Sequence, residues 1–245
     1  MKAMVLAAGL GTRLRPLTND RPKALVEVGG RTMLELTLMR LRAFGIHEVI
    51  INTHHFANMV VEFLSAHKNF GMRIQVSHED VLLDTGGGLK HAAHFFLASD
   101  EPFLVHNVDV LSTIDFAAML LFHREHNALA TLAVQDRPTS RYLLFDESGQ
   151  LCGRRAGLSG VPEFVRPAKK PRALAFSGIH IVSPRVFSLM SELGIFSIIP
   201  MYLRLAGENE SICSFPADRY YWRDLGRPES ITEAACEIAA GLYPG

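Results

Sequence analysis

Gly9, Gly11, Thr12, Arg13 and Lys23 follow directly on the apolar run Ala3-Met4-Val5-Leu6-Ala7, with Ala8 between. Glycines let backbone N–H groups approach an anion closely, and a nest of such amides binds phosphate. Arg13 and Lys23 add fixed positive charge that suits a polyphosphate. The spacing is not that of a Walker loop, because no G-x-x-x-x-G-K-[ST] is present. Nor is it a dinucleotide fingerprint, because Leu14 stands where the third glycine belongs. We read a nucleoside triphosphate site at the end of a first strand.

Two carboxylates complement this loop. Asp109 ends the strand-like run Phe103–Val108, and Asp224 ends another after Tyr220-Tyr221-Trp222-Arg223. Mg²⁺ takes oxygen donors, usually one or two protein carboxylates together with substrate phosphates. Asp109 and Asp224 are therefore the expected metal ligands; the plain alternative is that each caps a turn. Thr85-Gly86-Gly87-Gly88 reads as a turn opening a helix over 87–97, with amides free for a nucleobase or anion. His91 with His94 and His123 with His126 have one-turn helical spacing, but neither pair has the further ligands a zinc site needs.

Strands and helices alternate in the first half. The pattern predicts strands at 3–7, 48–53, 73–77 and 102–106, and helices at 33–44 and 57–67. Thr32 with Glu35 makes a capping box for the first helix, Gly45 ends it, and Asp115 caps a later one. This implies an α/β fold with a doubly wound, mostly parallel sheet, whose ligands bind at the carboxyl ends of strands. The second half reads as a small antiparallel subregion, with strands at 129–134, 142–146, 150–154 and 174–182 and a loop over 157–172. Helices are expected after Pro184, over 197–206 and from Pro228 to Gly241, with a last strand at 220–224. No linker separates two domains, so 1–245 is read as one domain with a nucleotide-binding half (1–128) and a second half (129–245).

Composition narrows the partners. Formal net charge is zero and 48% of the 245 residues are hydrophobic, so no basic surplus points to nucleic acid or an anionic membrane. Cys152, Cys213 and Cys236 form no metal or redox motif and are expected as free thiols in a reducing cytoplasm. No signal peptide or long apolar span is expected.

The stretch Gly9-Leu10-Gly11-Thr12-Arg13-Leu14-Arg15-Pro16-Leu17-Thr18 with Arg21-Pro22-Lys23 closely resembles the signature of the sugar-1-phosphate nucleotidyltransferases, G-x-G-T-R-L-x-P-L-T-x-x-x-P-K. Further resemblance covers nearly the whole chain. Asp84–Leu89 looks like that family's base-binding loop, Asn107–Val110 like its N-G-D-x motif, Phe176–Ile179 like its sugar-binding strand and Trp222–Gly226 like its W-x-D-x-G motif. The compact form is most similar to the N-acetylmuramate-1-phosphate uridylyltransferase branch, followed by the mannose-1-phosphate guanylyltransferases; glucose-1-phosphate thymidylyl- and uridylyltransferases are further alternatives.

The resemblance implies an NTP and a sugar 1-phosphate as substrates and Mg²⁺ as cofactor. Ala7, Ala8, Gly9, Thr85 and Gly86 would hold the base. Gly11, Thr12 and Arg13 would hold the β- and γ-phosphates, and Lys23 the α-phosphate. Asn107, Ser177 and Gly178 would contact the sugar, and Asp109 with Asp224 the metal. Catalysis would fall to Arg13, Lys23 and Asp109, in a monomer or small homo-oligomer. Val108 departs from the family glycine and is expected to narrow the space near the metal. Arg227 stands where threonine is common. The family's E-K-P segment is absent, and Arg166 of Val165-Arg166-Pro167 is the expected substitute at the sugar phosphate. Two rivals remain at this stage. One is a catalytically silent regulatory subunit, supported by Val108. The other is an NAD-dependent oxidoreductase, which Leu14 and Asn52-Thr53 disfavour.

Overall fold

Strand β1 (Ala3–Leu6) lies at the centre of the nucleotide-binding half because its side chains are apolar on both faces. Ala3 and Val5 enter one core layer, and Met4 enters the other. The computed structural model describes residues 1–243. After β1 come the short hairpin β2 (Glu27–Val28) and β3 (Arg31–Thr32), helix α1 (Met33–Ala43), β4 (Glu48–Thr53), α2 (Ala57–Ala66) and β5 (Arg73–His78). Then follow α3 (Asp84–His91), β6 (Phe103–Asn107), β7 (Val110–Ser112) and α4 (Phe116–Glu125). The second half runs β8 (Ala130–Gln135), β9 (Arg141–Phe145), β10 (Leu151–Ala156), β11 (Glu163–Phe164), β12 (Arg172–Val182), α5 (Val186–Leu189), α6 (Ile198–Gly207), β13 (Ile212–Pro216), β14 (Trp222–Asp224) and α7 (Pro228–Ala239).

Ten strands form one mixed sheet in the order β11-β10-β9-β12-β6-β1-β4-β5, with β8 beside β12 and β13 beyond it. Strands β6, β1, β4 and β5 are parallel. The β9–β12 region is antiparallel. Helices α1, α2, α4 and α7 pack on one face through Leu34, Leu38, Leu41, Val60, Leu64, Phe116, Met119 and Ile231. Leu89 of α3, Val186 of α5 and Met201, Tyr202 and Leu205 of α6 cover the other. This is the expected α/β architecture. Thr32 caps α1 by accepting from Glu35 N at 3.1 Å, and Asp115 caps α4 by accepting from Ala117 N and Ala118 N. Among the described residues no helix is long and apolar enough to cross a membrane.

Two features of the topology create a crevice. The chain leaves β1 for β4 on one side and returns to β6 on the other, so a gap opens at the carboxyl end of β1. Strand β12 pairs through Arg172–Ala175 with β9, then through Ile179–Val182 with β6. Between these registers lie Phe176, Ser177 and Gly178, opposite an irregularity in the pairing with β8. Gly178 has φ of +74°, a left-handed conformation that costs glycine little.

The sequence reading missed β7 and β13. It also missed the two-residue strands of the β2–β3 hairpin; β7 has three residues and pairs with β14, and β13 runs parallel to β8 at the edge of the sheet. The expected loop over 157–172 contains β11, which pairs with β10.

Three buried histidines tie stability to pH. Burial holds His106 and His123 down to about 4 and His180 to about 3, against 6.5 in the open chain. His123 Nδ1 meets the Thr131 hydroxyl and His180 Nδ1 the Tyr202 hydroxyl. Below pH 6.5 the unfolded chain gains protons that the native one refuses, so stability falls with falling pH. Each histidine removes on the order of 3 kcal/mol by pH 4. The urea midpoint should therefore drop steadily between pH 7.5 and 5; a flat midpoint would contradict this account.

Candidate active site

The loop after β1 is built on its own bonds. Gly11 takes a left-handed conformation (φ +63°), and its carbonyl accepts from Leu14 N at 2.9 Å and from the Thr18 hydroxyl at 2.8 Å. One helical turn, Thr12–Leu14, then buries Leu14 and leaves Arg13 toward the crevice. A second short turn, Lys23–Leu25, buries Ala24 and Leu25, and the Lys23 ammonium bonds the Asp109 carboxylate. Both partners keep only about 15% of their side-chain surface exposed, so little water screens the pair.

Asp109 sits in the turn between β6 and β7. Strand β14 aligns Asp224 with Val110, and Leu225 N donates to Asp109 O at 2.8 Å. The two carboxylates, 115 residues apart in sequence, are thereby placed one register step apart. Gly226 closes the arrangement, its amide donating to Asp224 Oδ1 at 2.7 Å. A Cβ at Gly226 would come within 2.6 Å of an Arg13 guanidinium nitrogen and 2.7 Å of Asp224 Oδ1. Gly226→Ala should displace both groups. We expect kcat to fall by roughly 10-fold or more with Tm nearly unchanged, since only the rim of the crevice shifts. Wild-type kinetics would show that Arg13 and Asp224 do not need this spacing.

The crevice has a volume of about 930 Å³. Arg13, Asn107, Asp109, Ser177, Gly178 and Asp224 all line it. Lys23 joins through Asp109, and Ala7, Ala8, Gly9, Gly11 and Thr12 form the adjoining loop. The Trp222 indole donates to Ser177 O at 2.8 Å, which ties β14 to the bend in β12.

Several expectations need correction. Thr85 and Gly86 are not in a free turn: Gly86, Gly87 and Gly88 lie inside α3, which starts at Asp84. Gly86 N and Gly87 N donate to Phe196 O at 2.9 and 3.1 Å, Thr85 N bonds Asp84 Oδ1, and the Thr85 hydroxyl accepts from Ile198 N. A flat ring does lie against Gly86, but it is Phe196, 2.4 Å from where a Cβ would be. Arg166 lies elsewhere. Its guanidinium pairs with the Asp146 carboxylate, which Ser148 and Gln150 also bond, and it does not line the crevice. Val108 is 2% exposed and packs in the core, so it does not narrow the site, and the main support for a silent subunit disappears.

Two residues escaped the sequence reading. Asn52, at the carboxyl end of β4, accepts from Ala7 N at 2.7 Å and donates to Glu79 Oε1 at 2.8 Å. Glu79, 1% exposed, also accepts from Leu83 N at 3.0 Å. This buried relay joins the phosphate loop to α3, and a Cβ at Gly88 would strike both side chains. For Asn52 the signal was a polar residue near the end of the otherwise apolar β4; Glu79 follows β5, whose polar and apolar residues alternate, and had no such signal.

A nucleotidyl transferase family model matches residues 2–241, and the chain belongs to this family. It is 35% identical to the N-acetylmuramate alpha-1-phosphate uridylyltransferase of Caulobacter vibrioides, over 97% of this chain and 96% of that protein. It is 32% identical to the mannose-1-phosphate guanyltransferase of Yarrowia lipolytica, of which it spans 65%. HddC of Yersinia pseudotuberculosis, solved in complex with GMP-PN, shares the fold with a TM-score of 0.75 and 20% identity, covering 97% of this chain and 99% of that one. The protein is an enzyme of the sugar-1-phosphate nucleotidyltransferase group, with a nucleoside triphosphate and a sugar phosphate as the substrates of its family.

Proposed function

We propose that the protein transfers the uridylyl group of UTP to N-acetylmuramate 1-phosphate, giving the UDP-sugar and pyrophosphate. The convergence of Arg13, Lys23, Asp109 and Asp224 on one crevice carries the reaction class. The Caulobacter relative, matched along nearly its whole length, supports this substrate pair over the longer mannose-1-phosphate guanyltransferases. Guanylyl transfer to mannose 1-phosphate and thymidylyl or uridylyl transfer to glucose 1-phosphate are the alternatives.

The donor set suits Mg²⁺: two carboxylates one register step apart, at the rim of a crevice that also offers Asn107. Asp109 and Asp224 would hold the ion, which when bound neutralises phosphate charge. The sugar phosphate needs no general base, because its second pKa near 6 leaves the attacking oxygen anionic at pH 7. In keeping with that, His106 is buried behind Asn107 and no histidine is among the crevice-lining residues. What remains is to bring two anions together. Lys23 would stabilise charge at the reacting phosphorus, and Arg13 at the departing pyrophosphate. The backbone from Ala7 to Gly9 would meet the base. We place the enzyme in the cytoplasm, a reading supported by its three unpaired cysteines.

The test is a matrix of UTP, GTP, dTTP and CTP against N-acetylmuramate, mannose, glucose and N-acetylglucosamine 1-phosphates, with Mg²⁺ or EDTA. Release of pyrophosphate is expected to peak for UTP with N-acetylmuramate 1-phosphate and to vanish in EDTA. Silence with every pair from folded protein would favour a regulatory role.

A further inference from the structure

Two half-buried arginines in the crevice have no part in the reaction drawn above. Arg137 follows β8, and Arg155 lies on β10 opposite Tyr142 of β9. The Arg155 guanidinium stands 5.6 Å from the Tyr142 ring centroid. Arg137 is stacked 3.7 Å from the Trp222 ring centroid and donates to Phe176 O at 2.9 Å. The Tyr142 hydroxyl accepts from Thr139 N at 3.3 Å, which holds the turn carrying Arg137 against β9.

Neither arginine is ion-paired among the described residues. Their neighbours are: Arg154 pairs with Glu163, and Arg166 with Asp146. In both Arg137 and Arg155 the Nε is buried and has no hydrogen-bond partner. Burial also pulls the Arg137 guanidinium below its ordinary pKa. The Asp224 carboxylate offsets part of that burial at a distance, without pairing with Arg137, and Arg155 has no ion-pair partner among the described residues; a cation drawn out of water with its charge only partly met costs free energy. An arriving anion removes it, whereas the hydroxyls of a neutral sugar do not. Arg155 lies two strands away from β12 and in register with Ala175, so its backbone is roughly 12–14 Å from the bend at Ser177 and Gly178. That separation matches a sugar ring with a side arm.

We propose that Arg137 and Arg155 form a subsite for a second acidic group on the sugar 1-phosphate, a carboxylate carried on the ring, and so select an acidic sugar over its neutral counterpart. The proposal rests on the reading of the crevice as the sugar-phosphate site. It deepens that reading by assigning substrate selection to two residues outside the family motifs.

Calorimetric titration tests it independently of group transfer. The probes are N-acetylmuramate 1-phosphate and N-acetylglucosamine 1-phosphate, which differ by one carboxylate-bearing ether. Wild-type protein should bind the acidic sugar at least about 10-fold more tightly. Arg155→Gln and Arg137→Gln should each weaken it by roughly 10- to 100-fold, with less than about a twofold change for the neutral sugar, and Arg155→Lys should retain part of the preference. Circular dichroism and Tm confirm folding, and the wild-type preference with Arg155→Lys decides the matter if a glutamine variant misfolds. Equal wild-type affinities, or equal losses of both ligands in the variants, would overturn the subsite. Binding of neither sugar would overturn the crevice reading and the subsite with it. Selective binding without pyrophosphate release would overturn only the proposed reaction.

Discussion

Asp109→Asn should lower Mg²⁺-dependent pyrophosphate release by on the order of 10³-fold or more, with no rescue at tenfold higher Mg²⁺. The substitution keeps the size of the side chain but removes its charge, and that charge has two uses here. It faces the crevice beside Asp224 as half of the candidate metal site. It also balances Lys23, whose ammonium it bonds at about 15% exposure. Without it Lys23 is a half-desolvated cation with a weaker partner, so Tm should fall as well, by an amount corresponding to about 1–3 kcal/mol. The backbone should not rearrange, because Leu225 N bonds the main-chain carbonyl of residue 109 and not its side chain. Near-normal pyrophosphate release by a folded Asp109→Asn would sink the metal assignment.

Lys23→Ala should lower kcat by on the order of 10²–10³, the usual consequence of removing one preorganised stabiliser of developing charge. Its effect should differ in kind from that at Asp109. Asp109 is left without its cation but borders an open crevice, where water or a divalent ion can compensate, so the Mg²⁺ dependence should survive. The turn Lys23–Leu25 is held by Leu25 N to Pro22 O and by the burial of Ala24 and Leu25, so folding should not depend on the ammonium. A Lys23→Arg protein should recover only part of the rate, because a planar guanidinium cannot replace a compact ammonium beside the Asp109 carboxylate. Full activity in Lys23→Ala would show that the ion pair is structural and that charge at the reacting phosphorus is met elsewhere.

The parts of the site that could be read in advance are those whose chemistry is local. Arg13 and Asp109 stand in turns that follow strand ends, and strand ends in a doubly wound sheet converge whatever the rest of the chain does; Lys23, in the short turn after Pro22, is marked instead by the local Arg21-Pro22-Lys23 motif. The errors share the opposite character. Thr85-Gly86-Gly87-Gly88 read as a turn because three glycines disfavour a helix, yet α3 includes them. Phe196, Asn52 and Glu79 pack too closely there for any side chain, so tertiary contact overrides propensity. Arg166 had the right distance in sequence from Gly178, but distance along a chain does not determine direction, and Asp146 captured it. Val108 stands in a motif position that faces the site in the family, whereas here it lies in the turn between β6 and β7, its amide bonds Leu6 O, and its side chain packs in the core.

Residue types and their spacing along the chain suffice for the family, the α/β order of the elements and the charged groups that make the site. These depend on residue types at short spacing and on periodicity, both local properties of the chain. Only the tertiary structure decided which amides are already bonded within the chain. Only it showed that β14 sets Asp224 one step from Asp109, and that two arginines stand in the crevice with no ion-pair partner among the described residues. Those facts come from pairings across tens to more than a hundred residues, and from burial, which sets whether a charge must find a partner.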